Sequence, residues 1–256
     1  MYKIIIYVII AVFATSCYSN KELIYLQDET YSYKVPKAIE NQRPIYKIQP
    51  NDVLHIDIKT PDPETTAMFS IQDDNRVGFN ANPAILYIRG YSVDDGGDVT
   101  IPLIGKIEVG NLTIDEIRTK VQSEISKFLT NASVEVKLVS FKISVLGQVN
   151  NPGYFYVYNG QATLMEGLSL AGDITEFGSR KNIKLIRQTE QGSEVILLDL
   201  TDPSVIQSPY YYLLPNDVIY VQHADNQIKQ ANLRPLGVFF GGLSAAVLLA
   251  RFIIDL

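Results

Sequence analysis

Few side chains in this 256-residue sequence have the types and spacing that catalysis requires. His55 occupies the same place in a repeated turn-and-strand motif as Tyr220, which is typical of an ordinary strand residue. The other histidine, His223, ends a strand-like run beside polar residues. Ser169, within GLSLAG, falls late in a predicted helix and not on the strand-to-helix turn of a nucleophile elbow. The sequence has no HExxH, P-loop or Rossmann fingerprint, so we predict that the protein is not an enzyme and needs no cofactor.

One acidic run, DDGGD at residues 94–98, contains the oxygen ligands that calcium prefers. It lacks the spacing of an EF-hand, and its glycines favour a hairpin loop instead. We therefore predict no metal site.

Cys17 is the only cysteine, so a disulfide within the chain is excluded. Before it, Lys3 supplies one positive charge, residues 4–13 form an apolar core too short to span a membrane, and residues 14–16 are small. Small residues directly before a cysteine resemble a bacterial lipobox. We predict a lipoprotein signal peptide over residues 1–16 and lipidation of Cys17. Tyr18 replaces the aspartate that would favour the inner membrane, which indicates the outer membrane; the alternative is an ordinary secretory signal with an incidental cysteine.

A second hydrophobic run, LGVFFGGLSAAVLLARFII, covers residues 236–254. As a helix it would rise about 28 Å, close to the about 30 Å hydrocarbon core of a bilayer. Gly237, Gly241 and Ala245 recur every four residues, a spacing that lets another helix approach closely. The run predicts a C-terminal transmembrane helix that packs against another helix through these three small residues. The alternative is a buried helix of a soluble domain.

The chain between these runs is mildly acidic, with a net charge of -6 for the whole sequence and no basic cluster. Nucleic acid is not an expected partner, because phosphate binding needs Lys and Arg gathered on one face. Residues 17–45 have few apolar side chains in any period and contain Pro36 and Pro44, which predicts an extended tether. Residues 224–235 are interpreted as a linker.

The tetrapeptide PNDV occurs twice, at residues 50–53 and 215–218, each time before a strand-like run. Proline sets a turn, asparagine accepts a left-handed conformation, and aspartate accepts backbone hydrogen bonds. Asp52 and Asp217 are therefore interpreted as turn residues, with ligand binding as the alternative.

Two capping boxes predict helix starts, at Thr113 with Glu116 and at Thr163 with Glu166. After the first, one helix face contains Ile114, Ile117, Val121, Ile125 and Phe128. Gly172 has the position of a left-handed cap at the end of the second helix. Strand-like runs surround both helices, which predicts an α+β fold. In the second half, the predicted elements follow the order of a β-grasp fold: strand, strand, helix, strand, strand.

Five stretches occur in an informative order: YKIQPNDVLHIDI, VTIPLIGKIEVGNLTIDEI, ISVLGQVNNPGYFYV, LSLAG and LLPNDVIYV. Together they resemble the outer-membrane polysaccharide export (OPX) lipoprotein family over residues 46–221. The sequence departs from the family where Asn51 and Asn216 replace the usual glycine before aspartate, a change that asparagine tolerates because it accepts positive φ. It also has Asp173 where the family has the second glycine of Ala-Gly-Gly.

The resemblance implies an α+β fold with a small polysaccharide-export domain over residues 46–140. A soluble-ligand-binding β-grasp (SLBB) domain with its closing strand follows over residues 141–223, and then the C-terminal transmembrane helix. It also implies an outer-membrane lipoprotein of a Gram-negative bacterium, with its body in the periplasm.

By the same resemblance, the protein is expected to form a homo-oligomeric ring that conducts capsular or extracellular polysaccharide. Expected partners are an inner-membrane polysaccharide co-polymerase, the exported polysaccharide and outer-membrane lipid. The alternative is a lipid-anchored periplasmic glycan-binding or adaptor module that works beside a separate outer-membrane pore.

Tyrosines cluster in YFYVY at residues 154–158 and in YYY at residues 210–212. Because aromatic rings stack on sugar faces, Tyr156, Tyr158 and Tyr211 are candidate sugar contacts. Alternate residues of a strand point to opposite faces, so one set is expected in the core or in subunit contacts instead.

Overall fold

The computed structural model describes residues 23–32, 34–62, 89–189 and 191–224, together with Gly241. Two hydrophobic cores divide this part of the chain. The first is built from residues between Ile48 and Val136, and the second from residues between Phe141 and Val221. We call the parts around them the first unit and the second unit.

The first unit is a small antiparallel sheet with a hairpin and one helix. Its elements are β1 (Val53–Lys59), β2 (Tyr91–Ser92), β3 (Asp98–Ile101), β4 (Gly105–Glu108), α1 (Ile114–Ile125) and β5 (Ser133–Leu138). Strand β1 lies between β2 and β5, and β3 pairs with β4. Buried Ile117, Val121 and Ile125 pack α1 against the core, because residues three and four apart share one helix face.

The start of α1 is confirmed and its predicted apolar face is wrong at one residue. The backbone N–H of Thr113 donates to Glu116 Oε2 at 2.8 Å, and the N–H of Glu116 donates to Thr113 Oγ1 at 3.3 Å. The helix ends at Ile125, with Ser126 as its C-cap. Phe128 therefore lies beyond the helix, where its side chain is 62% exposed.

The second unit is a mixed five-stranded sheet with one helix on it. Its elements are β6 (Lys142–Gly147), β7 (Gly153–Tyr156), β8 (Ala162–Thr163), α2 (Leu164–Leu170), β9 (Gly178–Thr189), β10 (Gly192–Leu198), a 3-10 turn (Pro203–Gln207), β11 (Tyr212–Leu213) and β12 (Val218–His223). The strand order is β10-β9-β12-β6-β7, with β12 parallel to β6 and the other neighbours antiparallel. Strands β8 and β11 form a separate short pair.

Helix α2 lies directly on this sheet. Its predicted capping box is confirmed by the Thr163 N–H, which donates to Glu166 Oε2 at 2.7 Å, and Gly172 has the predicted positive φ of 74°. A side chain at Gly167 would meet Leu213 at 2.7 Å and Ile143 at 3.0 Å, so only glycine allows this close approach.

Residues 25–27 run along the second unit and are called the strap below. The backbone N–H of Leu26 donates to the Leu200 carbonyl at 2.9 Å, and that of Gln27 donates to the Thr201 carbonyl at 2.7 Å. The Tyr25 hydroxyl donates to Asp173 at 2.5 Å, and its ring lies 5.1 Å from the Arg180 guanidinium. The stretch predicted as a tether thus includes residues that are hydrogen-bonded to the second unit.

The predicted fold class needs a correction, because it included a transmembrane helix. No helix among the described residues is long and apolar enough to cross a membrane. The longest with described bounds, α1, has 12 residues, and 12 residues rise only about 18 Å. In the predicted span, residues 236–254, the structure describes Gly241 alone, and that residue is exposed; Gly237 and Ala245 lie outside the described residues.

Candidate functional site

A groove with a volume of about 390 Å³ opens between the end of β7 and helix α2. We call it the tyrosine groove. Its lining combines aromatic, amide, hydroxyl and carboxylate side chains, namely Tyr156, Tyr158, Asn159, Gln161, Glu166 and Ser169. Flat aromatic faces beside hydrogen-bonding groups are suited to a sugar, which has one apolar face and a rim of hydroxyls.

The two tyrosines are held by backbone pairing at the edge of the sheet. Tyr156 pairs with Lys142 of β6, and the next residue, Val157, donates its N–H to the Phe141 carbonyl at 2.8 Å. Tyr154 packs edge-on against Tyr156, with ring centroids 6.1 Å apart. The Tyr158 side chain is 71% exposed and therefore available to a ligand.

Of the three tyrosines predicted to contact sugar, the structure brings two together. Tyr156 and Tyr158 line the same groove. Tyr211 is half-buried against the core of the second unit, where its ring meets that of Tyr212 edge-on at 5.6 Å. Cys17 lies outside the described residues.

Sequence reasoning did not find a second opening, a cleft of about 470 Å³ between the first and second units. Tyr158 and Gln161 line both this cleft and the tyrosine groove. On its wall, the Tyr212 hydroxyl donates to Asn41 Oδ1 at 3.3 Å, and the Arg43 guanidinium lies 5.8 Å from the Tyr212 ring. Because these residues are far apart in sequence, no local pattern could have predicted the cleft.

Neither histidine has the setting of a catalytic residue. His55 lies in the middle of β1 opposite Lys137, and His223 ends β12 on the surface. Across residues 23–32, 34–62, 89–189 and 191–224, no group of three or more His, Cys, Asp or Glu side chains could hold a metal ion.

The acidic run at residues 94–98 forms the turn that leads into β3. Asp94 Oδ1 accepts the backbone N–H groups of Gly96 at 3.0 Å and Asp98 at 2.9 Å. Its other oxygen accepts Lys106 Nζ at 2.9 Å. The backbone N–H of Asp98 and the Lys106 ammonium hold the pKa of the Asp94 carboxyl below its usual value, and these contacts give the carboxylate a structural role.

Both PNDV turns are confirmed as turn chemistry. Asn51 has φ of 70° and Asn216 has φ of 67°. Asp52 accepts the Gln49 N–H at 3.0 Å, and Asp217 accepts the Leu214 N–H at 2.8 Å. The aspartates are buried, with 4% and 1% of their surface exposed, so neither is available to a ligand.

Tertiary partners of the two aspartates were not predicted from sequence. Asp52 accepts hydrogen bonds from the hydroxyls of Tyr46 at 2.8 Å and Ser140 at 3.1 Å. Asp217 makes a two-point ion pair with Arg187, at 3.0 Å from Nε and 2.7 Å from an Nη. The aspartates of two similar turns therefore have different partners: hydroxyls in the first unit and a guanidinium in the second.

Asp52 should make the stability of the first unit decrease with rising pH. Burial raises the pKa of the Asp52 carboxyl above its usual 3.8, although its hydrogen bonds oppose this. The folded protein then holds this proton more tightly than the unfolded chain does, so the resulting stability is present below pH 3.8 and is lost as pH rises through the raised pKa. We expect Asp52→Asn to remove this loss, measured as the slope of the unfolding free energy against pH.

The control is Asp94→Asn. The pKa of Asp94 is lowered, so its contribution has the opposite sign: it is present above the ordinary pKa and is lost as pH falls. An Asp52→Asn variant with the same slope as the wild type would contradict the prediction.

Comparison with known proteins identifies two regions. Residues 40–139 match the family model described as polysaccharide biosynthesis/export protein, and residues 142–199 match the SLBB domain. A protein of Ralstonia nicotianae named EPS I polysaccharide export outer membrane protein EpsA is 30% identical over 154 residues, which are 57% of this chain and 39% of that protein. The Ralstonia solanacearum protein of the same name is 31% identical over 108 residues, 41% of this chain and 29% of that protein.

The chain thus spans less than half the length of the curated relatives that it matches. Within this chain, the polysaccharide biosynthesis/export region lies directly before the SLBB region. On these matches, the chain belongs to the outer-membrane polysaccharide export family.

Proposed function

We propose that this protein is an outer-membrane lipoprotein that assembles with copies of itself into the export conduit for capsular or extracellular polysaccharide, or into its periplasmic part. The observation that carries the proposal is the succession of the two matched domains in one chain. The role is transport and not catalysis. Partners on this proposal are the exported polysaccharide, outer-membrane lipid and an inner-membrane co-polymerase at the periplasmic end.

Localisation at the outer membrane agrees with the names of both relatives, which are called outer membrane proteins. Lipidation of Cys17 would attach the chain to that membrane. Only eight residues lead from Cys17 to Tyr25, and eight residues span at most about 29 Å. Because the strap is hydrogen-bonded to the second unit, an acyl anchor on Cys17 would keep that unit close to the membrane.

The tyrosine groove is the proposed place where the protein touches its polymer. Tyr156 and Tyr158 offer aromatic faces, and Asn159 and Gln161 offer amide donors and acceptors. The groove is open to solvent, which suits brief contact, since a conduit that bound its polymer tightly would not release it.

The conduit is tested by isolating the full-length acylated protein in mild detergent and measuring its mass and particle shape by light scattering and electron microscopy. The expected result is a closed ring with a central cavity. A stable monomer or dimer that retains its acyl chains would contradict a conduit and favour the adaptor beside a separate pore. Cys17→Ser should lose the acyl mass and keep the circular dichroism spectrum of the wild type.

Removing the two tyrosine rings of the groove, half-buried Tyr156 and exposed Tyr158, should reduce the amount of polymer exported per assembled ring. We expect Tyr156→Ala with Tyr158→Ala to lower surface polysaccharide severalfold in cells, because two stacking contacts of about 1 kcal/mol each are lost. Ring yield is measured in the same cells, and export is expressed per ring. Tyr31→Ala is the matched control, since Tyr31 is 42% exposed and does not line the groove. Equal export by the groove variant and the control would show that the groove does not contact the polymer.

A further inference from the structure

In the described part of the chain, the sheet of the second unit has one face covered by its core and one face that carries exposed side chains, called the uncovered face below. The core and α2 cover the first, which contains buried Ile143, Leu185 and Ile219. Strand pairing places alternate residues in rows on the other face. One row runs Val195, Ile186, Val218, Ser144 and Tyr154 across all five strands. Its two end residues are exposed, Val195 to 64% and Tyr154 to 69%.

A second row on the same face contains one lysine among apolar and aromatic side chains. It runs Leu197, Lys184, Tyr220 and Leu146. Leu197 is 60% exposed and Leu146 is 44% exposed. Val195 and Leu197 are neighbours on this face of β10, and Leu146 and Tyr154 lie at the opposite side of the sheet. Exposed apolar groups of this kind occur at protein interaction surfaces.

Both ends of the sheet are open edges. In the described part of the chain, β10 pairs only with β9 and β7 pairs only with β6. Within their bounds, neither β10 (GSEVILL) nor β7 (GYFY) contains lysine or proline, which protect many edge strands from pairing. The one charge on these strands, Glu194, accepts a hydrogen bond from the Tyr210 hydroxyl at 3.3 Å. Each edge thus presents unpaired backbone groups beside exposed apolar side chains.

The two edges run in opposite directions. Strand β9 is antiparallel to β10, β12 is antiparallel to β9, β6 is parallel to β12, and β7 is antiparallel to β6. Strand β7 is therefore antiparallel to β10. When a second copy is placed beside the first by a rotation about an axis along the strands, β10 meets the neighbour's β7 as an antiparallel pair, which is the more stable pairing.

We propose that β10 of one copy pairs with β7 of the next copy, so that the sheets of the second units join head to tail. Val195 and Leu197 then lie beside Tyr154 of the neighbour on the uncovered face. Such a contact joins different surfaces of the two copies and closes into a ring when the rotation allows it. The inference rests on the proposed function, since it names the surface that builds the ring.

The size of the contact favours a ring over a dimer. Edge strands of seven and four residues make a smaller contact than the about 800 Å² per partner of a standard interface. A single edge contact is therefore weak between two copies. In a closed ring each copy uses both of its edges, and its departure breaks two contacts at once.

Cysteine cross-linking in the full-length protein tests the pairing. Val195→Cys and Tyr154→Cys are made singly and together, and membranes are treated with a short bismaleimide. The double variant is expected to give a ladder of dimers, trimers and larger species, because each copy links to two neighbours. Each single variant is expected to give no cross-linked species on a denaturing gel. Ser123→Cys, on the exposed side of α1, is the control for cross-linking between surfaces that are not in contact.

The outcomes separate this inference from the proposed function. Dimers from Val195→Cys alone would overturn the head-to-tail pairing in favour of a two-fold contact between β10 strands. Rings in electron micrographs without a ladder would overturn the inference and leave the conduit standing. Absence of both rings and ladder would overturn both.

A charge on the edge gives a second measurement. Val195→Lys with Leu197→Lys is expected to raise the concentration at which half of the rings dissociate at least tenfold, because lysine prevents edge pairing. Leu103→Lys is the control, since Leu103 is 69% exposed at the β3–β4 hairpin of the first unit. An unfolding temperature equal to that of the wild type shows that both variants fold. Rings of the β10 variant as stable as those of the Leu103→Lys control would count against the proposal.

Discussion

Replacing Arg187 with methionine is expected to lower the free energy of unfolding by about 3–5 kcal/mol, because it leaves the Asp217 carboxylate buried without its partner. The side chains of the pair are only 10% and 1% exposed. Arg187 also donates to the Tyr212 carbonyl at 2.9 Å and lies 5.4 Å from the Tyr210 ring. One substitution therefore removes an ion pair, a backbone hydrogen bond and an aromatic contact. Chemical denaturation followed by circular dichroism measures the loss.

Two controls separate loss of the ion pair from general disturbance. Lys127→Met breaks an ion pair of equal length, 2.7 Å to Glu124, whose side chains are 60% and 36% exposed, and such surface pairs contribute about 0–1 kcal/mol. Arg187→Met combined with Asp217→Leu should recover most of the stability, because no unpaired charge remains buried. A cost below about 1 kcal/mol for Arg187→Met alone would contradict our account of the pair.

Gly147→Ala is the second substitution with a large expected effect. Gly147 ends β6 with φ of 90°, and a Cβ there would lie 2.1 Å from the Val221 carbonyl oxygen of β12. Backbone strain at positive φ costs about 1–2 kcal/mol, and the overlap with a fixed backbone atom adds about 1–3 kcal/mol. We expect a total loss of about 3 kcal/mol or more, measured by chemical denaturation. The parallel pair β6–β12 joins the two halves of the sheet, so rings should be lost as well.

The matched control for this substitution is Gly105→Ala. Gly105 has nearly the same φ, 95°, but no atom lies within 4 Å of a Cβ built there. Its cost should be limited to the backbone term of about 1–2 kcal/mol. Equal losses in the two variants would show that the contact with β12 does not matter.

Local features of the fold could be predicted from the sequence. Both capping boxes and both PNDV turns form as expected, because their hydrogen bonds join residues three positions apart. Phe128 is the exception within this group. Periodicity alone cannot locate a helix end, and α1 stops at Ile125 before the apolar pattern does.

Long-range partners could not be predicted in this way. Arg187 and Asp217 are 30 positions apart, and Tyr25 and Asp173 are 148 positions apart. Arg180 packs against the Tyr25 ring and is only 9% exposed. Its Nε has no hydrogen-bond partner among the described residues. Nothing in the neighbouring sequence of these residues indicates such contacts, because they depend on the order of strands in the sheet.

The candidate site shows the same division. The two tyrosine clusters could be read from the sequence. The surface of the second unit on which each tyrosine lies could not be predicted from it. Pairing with β6 puts Tyr156 at a sheet edge, and the chain after β7 exposes Tyr158 beside it. Tyr211 precedes β11 and packs against the core.

The sequence by itself was sufficient for the helix starts and the left-handed turns, because each depends on residues close together in the chain. It was also sufficient for the family resemblance, which rests on the order of short motifs along the chain. Strand order, the strap, the tyrosine groove and the buried ion pair depended on tertiary structure. A membrane-spanning helix was inferred from hydropathy alone, and no helix among the described residues meets that requirement. The physical reason is that contacts between distant residues form only when burial of a shared core brings their strands together.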